Sequence, residues 1–171
     1  MFLLSTKTRT RALIFAALAG FSIVTLDNPA MSAVAAAGPF TSMLGSWLGD
    51  GSVTSSKGVT ERIRCRAKYS ASPSGGALHQ VLRCASDSYK FDVIADVVYD
   101  GGALSGTWTE INKKVTGQVE GRIDAVRVQA TIAGPSFSAE LVMNTRGNHQ
   151  SVSIRPKDVE ITAVSIDLRR S

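Results

Sequence analysis

From Trp47 onward apolar and polar residues alternate, and Gly, Pro, Asn, Asp or Ser interrupt the alternation roughly every 8–12 residues. Successive side chains of a strand point to opposite faces, so this rhythm describes strands with one dry and one wet side. The candidate strands are 46–54, 59–70, 77–86, 89–99, 103–111, 114–122, 126–133, 136–144, 148–155 and 159–169. A 3.6-residue period never persists long enough for a major helix; Pro39-Phe40 to Leu44 offers a single turn of one. Pro39, Pro73, Pro135 and Pro156 all fall between the candidate strands, where no ladder hydrogen bond is lost.

A two-residue turn fixes which residues face each other, so the register is testable. A Ser74-Gly75 turn sets Cys65 opposite Cys84, Ala67 opposite Leu82 and Tyr69 opposite Gln80. Turns at Asp87-Ser88, Gly101-Gly102 and Asn112-Lys113 pair Cys84 with Phe91, Ala95 with Trp108 and Trp108 with Gly117. Turns at Asp124-Ala125, Gly134-Pro135 and Arg146-Gly147 then pair Gly121 with Val128, Ile132 with Phe137, Val128 with Leu141 and Leu141 with Val152. Every hairpin in the series keeps the same apolar face together, and a one-residue slip would turn the next apolar set outward.

The other face carries Lys90, Asp92, Asp96, Thr116, Gln118, Glu120, Arg122, Arg127, Gln129 and Glu140. An outer-membrane barrel needs an apolar belt there. Uninterrupted nearest-neighbour hairpins favour closure, which removes both edges. The expected fold is an all-β, soluble, up-and-down antiparallel barrel of 8–10 strands with one disulfide between neighbouring strands.

Residues 1–37 read as a secretory signal. Lys7, Arg9 and Arg11 precede an uncharged stretch from Ala12 to Leu26, and Ala33-Val34-Ala35 and Ala35-Ala36-Ala37 are alternative cleavage tracts. The stretch is short for a membrane span. Residues 38–171 are then a single domain. Residues 1–37 hold three of the 19 basic and one of the 14 acidic side chains, so the remainder carries net +3, which is no nucleic-acid footprint. The expected location is the periplasm in a Gram-negative source and the exterior otherwise.

Export implies an oxidising compartment, where facing thiols oxidise, so Cys65 and Cys84 are expected to be bonded. Strand 59–70 lays Arg62, Arg64, Arg66 and Lys68 on its outer face, and Arg83 joins them opposite Arg66. This stripe is either a solvated face with weak ion pairs to Asp92 and Asp96 or a docking site for an acidic partner or an anionic envelope component.

The inward set includes Leu78, Leu82, Phe91, Val93, Val97, Leu104, Val119, Val128, Ile132, Phe137, Leu141 and Val152, with small residues such as Gly106, Gly117, Gly121 and Ala130 among them. A ten-strand barrel lined this way either keeps an apolar cavity or packs it shut. Tyr69, Gln80, Trp108, Phe91 and Phe137 are the candidate ligand contacts, with Tyr69 and Gln80 as the polar anchor. Glu110, beside a turn, is expected at the rim in water. His79 and His149 lack a serine-and-acid constellation. No phosphate loop, H-E-x-x-H or paired C-x-x-C occurs. The chain therefore reads as a non-enzyme without cofactor or metal.

Gly45-Ser46-Trp47 resembles the G-x-W of lipocalins and related calycin barrels. That resemblance implies that Trp47 closes one barrel end against a basic residue near the last strand, here Arg169 or Arg170. Ala103-Leu104-Ser105-Gly106-Thr107-Trp108 is similar to the G-x-L-x-G-x-aromatic strand of avidin-like barrels. The lipocalin C-terminal helix and a helical lid after the first strand are both missing, so the architecture carries over and no ligand does. The expected function is an exported binding protein for a small apolar or amphipathic ligand such as a lipid. The alternative is an envelope inhibitor, adaptor or structural partner acting through the basic stripe around a packed interior.

Overall fold

The computed structural model describes residues 38–171, and the signal-peptide reading of residues 1–37 lies outside them. Ten strands follow one another: β1 (Gly45–Ser55), β2 (Thr60–Ala71), β3 (Ala77–Ala85), β4 (Lys90–Asp100), β5 (Ala103–Glu110), β6 (Val115–Asp124), β7 (Arg127–Ala133), β8 (Ser138–Arg146), β9 (His149–Lys157) and β10 (Ile161–Arg170). Each pairs antiparallel with its sequence neighbour, and β1 pairs with β10 to close the barrel. Closure leaves no sheet edge exposed, which stabilises a meander that would otherwise present two unpaired strands.

The register expected for β2 to β6 is observed: Cys65 faces Cys84, Cys84 faces Phe91, Ala95 faces Trp108 and Trp108 faces Gly117. Gly117 is needed there, because a Cβ would overlap both the Ala133 carbonyl and the Trp108 indole. The next three hairpins differ from expectation by two residues. Gly121 faces Ala130, Ile132 faces Ala139, Val128 faces Met143 and Leu141 faces Ile154. In each case the turn is centred one residue later than expected. Gly147 (φ 58) and Ala125 (φ 39) take the first turn position, where the backbone must be left-handed, and Pro135 occupies the position after Gly134 that its fixed φ suits. A shift of two preserves face, so the inward set is unchanged.

Two local expectations are corrected. Gly38–Met43 forms hydrogen-bonded turns, Thr41 N–H to Gly38 O and Met43 N–H to Phe40 O, rather than a helix. Pro156 lies inside β9, opposite Ala139, beyond the point at Ile154 where the β9–β10 ladder ends. Its missing N–H is tolerated near a strand end.

The core is concentrated at the end of the barrel where the chain enters. Phe40, Met43 and Trp47 pack there with Tyr69 and Leu168, all buried. Loops 72–76, 101–102, 125–126 and 147–148 join strands at this closed end, and loops 56–59, 86–89, 111–114, 134–137 and 158–160 join them at the other. The disulfide Cys65–Cys84 bridges β2 and β3 midway along the wall.

Candidate functional site

The apolar alternation that builds the wall also lines what it encloses. A cavity of about 370 Å³ runs through the interior. Leu82, Val97, Leu104, Val119, Leu141 and Met143 line its body. Phe40 and Met43 reach it from the closed end, while Lys113 and Val159 in loops and Pro156 near the end of β9 reach it from the opposite end. Apart from the Trp108 indole, its polar side chains are Gln80, Glu110 and Lys113.

Four of the five candidate ligand contacts, Gln80, Trp108, Phe91 and Phe137, lie on this lining. Trp108 and Phe137 pack with their rings 5.7 Å apart, and the indole N–H donates to the Ala133 carbonyl at 3.2 Å. Tyr69 is elsewhere. It stands opposite Gln80 in register, but its hydroxyl donates to Gln150 Oε1 at 2.8 Å, and the Gln150 amide donates to Thr145 Oγ1 at 2.9 Å. All three are buried, and burial raises the Tyr69 hydroxyl pKa despite the Gln150 bond. The polar pairing expected of Tyr69 with Gln80 is thus replaced by a bond across the barrel, which satisfies a buried amide that a ligand would otherwise have to satisfy. The Gln80 side chain is half-buried and borders the cavity.

Glu110 is not at a wet rim; it is only 5% exposed. Its Oε1 accepts from the Asp92 N–H and the Asn112 side-chain amide, each at 3.0 Å, and its Oε2 accepts from the Lys113 N–H. Desolvation pushes its pKa up, but these donors outweigh it and hold the carboxyl below the ordinary value of 4.5. Its stabilising contribution is therefore present above about pH 4.5 and is lost as pH falls through the lower folded value. Glu110→Gln is expected to lower stability at neutral pH by about 1.5–3 kcal/mol. Thermal melts across pH should show the gap to wild type narrowing in acid; a gap independent of pH would refute a charged Glu110.

Trp47, the residue matched to the lipocalin position, is fully buried, and its indole donates to the Met43 carbonyl at 2.7 Å. The Arg170 guanidinium lies 4.3 Å from its ring centroid and donates to the carbonyls of Leu44 and Ser42. Arg169 is one residue removed and faces His149 and Leu48 in register. The alternation from Trp47 onward did not reveal Phe40 and Met43 as parts of the cavity lining; their spacing of three, just ahead of the first strand, is the signal that could have.

No family model matches the chain, and no curated protein matches it. Solved structures do. The crystal structure of Rv2717c from M. tuberculosis superposes with a TM-score of 0.63 at 12% identity, covering 77% of this chain and 94% of that one. The S-type phycobiliprotein lyase CPES from Guillardia theta superposes with a TM-score of 0.56 at 11% identity, covering 77% and 90%. The chain shares its barrel fold with both.

The stripe residues Arg62, Arg64, Arg66, Lys68 and Arg83 are all exposed on the outer wall. Arg83 Nε meets Asp92 at 3.2 Å, and His79 Nδ1 meets Asp96 at 2.7 Å. Ser70 stands opposite His79 in register, yet the two side chains are not hydrogen-bonded. Among the described residues no group of three His, Cys, Asp or Glu side chains is arranged to hold a metal.

Proposed function

We propose that the protein is an exported binding protein whose barrel holds one small apolar or amphipathic molecule, such as a lipid. The observation that carries this reading is the interior itself: about 370 Å³ lined almost wholly by hydrocarbon. That volume falls within the roughly 300–1,000 Å³ of small-molecule sites. Each methylene moved from water into such a space contributes about 0.8 kcal/mol. Gln80 offers an amide on the lining, and Lys113 offers a cation for an acidic head. The Glu110 carboxylate is occupied by its own donors and competes little for that cation. An unfilled interior argues against the packed barrel that the surface-acting alternative expects. The Cys65–Cys84 bond favours an oxidising, extracytoplasmic compartment, in agreement with an exported chain. The likeness to a phycobiliprotein lyase supports the fold, and the ligand follows from the cavity's own chemistry.

Native mass spectrometry of protein purified without detergent should show a bound species or, after delipidation, uptake of a fluorescent fatty-acid probe. Val119→Trp fills the middle of the cavity and is expected to weaken the probe at least tenfold while the melting temperature stays near wild type. A clean apo mass with no probe uptake, or uptake indifferent to Val119→Trp, would overturn the reading.

A further inference from the structure

The outer wall opposite β7 carries a second concave feature. A groove of about 660 Å³ crosses β1, β2, β3 and β4 at right angles to the strands. One bank is the cross-strand row Leu48, Arg66, Arg83 and Asp92; the other is Asp50, Arg64, Ala85 and Lys90. Ala85 is the smallest member of the two rows and leaves the groove open beside Arg64.

The charges in it are arranged at a cost. Arg66 stands directly opposite Arg83, and like charges in directly opposed positions destabilise a sheet. Asp92 relieves Arg83 through Nε alone, at 3.2 Å. Among the described residues Arg64 and Arg66 have no carboxylate in ion-pair contact, and Asp50, which faces Arg64, is flanked on its other side by Asp167. Three guanidinium groups thus border one groove, with a single one neutralised. Beside Arg66, Leu48 is 47% exposed, an apolar side chain among cations.

We propose that this groove is a binding site for a phosphate-class oxyanion, held between Arg64, Arg66 and Arg83, with Leu48 contacting the apolar part of whatever carries it. Guanidinium forks suit tetrahedral oxyanions because two N–H groups meet two oxygens at once. An anion between Arg66 and Arg83 turns their mutual repulsion into two attractions. Asp50 and Asp92 flank the central arginines and confine the anion to the middle of the groove. The free ion and the phosphate of a lipid headgroup share this chemistry. The site lies on the outside of the wall and is independent of the cavity.

Titration of the purified protein with inorganic phosphate, followed by amide NMR shifts, tests the proposal, alongside flotation with phosphatidylcholine vesicles that do or do not contain phosphatidylglycerol. The diagnostic comparison is Arg66→Gln against Arg127→Gln. Arg127 is exposed on β7, five strands away in either direction, so both variants lose the same charge. Arg66→Gln is expected to weaken binding about tenfold, and Arg127→Gln less than about twofold. In phosphate-free buffer of low ionic strength Arg66→Gln should melt at or above the wild-type temperature, and phosphate should raise the wild-type temperature more than the variant's. Binding to phosphatidylglycerol vesicles without binding of free phosphate, still lost in Arg66→Gln, would assign the site to headgroups. Equal weakening by the two substitutions, binding of neither probe, or an Arg66→Gln variant that melts lower without phosphate would overturn the proposal.

Discussion

Trp47→Ala is expected to destabilise the protein by about 3–5 kcal/mol, the largest single-residue effect in the molecule. The side chain is fully buried at the closed end and contacts two separate parts of the chain. Its indole N–H ties Met43 to β1, its ring face receives the Arg170 guanidinium, and Arg170 in turn binds the carbonyls of Leu44 and Ser42. Removing the ring leaves a cavity, leaves the Met43 carbonyl without its donor, and frees the first and last strands from their shared contact. For a domain of this size each kcal/mol shifts the melting temperature by about 3–5 °C, so the fall should be about 9–25 °C. Trp47→Phe separates the terms: it keeps most of the buried area and an aromatic face for Arg170 but loses the N–H, and should cost about 1–3 kcal/mol. Because Met43 and Phe40 line the cavity, Trp47→Ala should also weaken a fatty-acid probe more than Trp47→Phe does. Denaturant melts of the three proteins decide the matter; a Trp47→Ala variant within about 1 kcal/mol of wild type would refute the closure role.

The architecture was readable because the strand period of two is unforgiving. Each hairpin from β2 to β6 has a register in which both apolar sets face inward, and that register is the observed one. The same rule explains where the reading drifted. Moving β7 against β6 by two residues keeps Val119, Gly121, Val128 and Ala130 inside, so hydrophobic pattern cannot distinguish the alternatives. Only the turn can, and it does so through backbone conformation: a left-handed residue at position 125 and another at position 147 are choices of φ, invisible to polarity.

Less of the site was legible, for a related reason. Its decisive contacts join distant parts of the chain. Tyr69 and Gln150 are 81 residues apart and meet only because the barrel closes. Glu110 sits beside a turn, a position that suggests water, yet the Asp92 N–H on the neighbouring strand and its own turn's donors draw it inward. Whether small residues such as Ala130 line a cavity or let neighbours fill the space depends on barrel radius, which follows from strand number and tilt rather than from any local sequence. Ten strands, two beyond the number that side chains nearly fill, leave the interior open.

Breaking the Cys65–Cys84 bond should lower stability by about 3 kcal/mol and leave the fold in place. The two residues are directly opposed on β2 and β3, their Cα atoms are 4.1 Å apart, and 19 residues of sequence separate them. In the chain-entropy account the bond restricts the unfolded chain across that loop, and the barrel is the same with or without it. The β2–β3 ladder runs from Arg64–Ala85 to Ala71–Leu78, and the strands are also held by β1 and β4, so the pairing survives without the covalent link. Cys65→Ala/Cys84→Ala should therefore show the wild-type far-UV spectrum with a melting temperature lower by about 9–15 °C. Both sulfurs are buried, so reductant should act slowly on the folded protein and quickly once it is unfolded. Cys84 also lines the cavity, but two small side chains leave its shape nearly intact, and a fatty-acid probe should bind the double variant within about threefold of wild type at a temperature where both are folded. A reduced protein that melts with the oxidised one would show that the bond constrains nothing in the unfolded chain. A double variant that folds but no longer takes up the probe would instead make the bond part of the binding wall, holding Cys84 and the adjoining Phe91 at the distance the ligand requires.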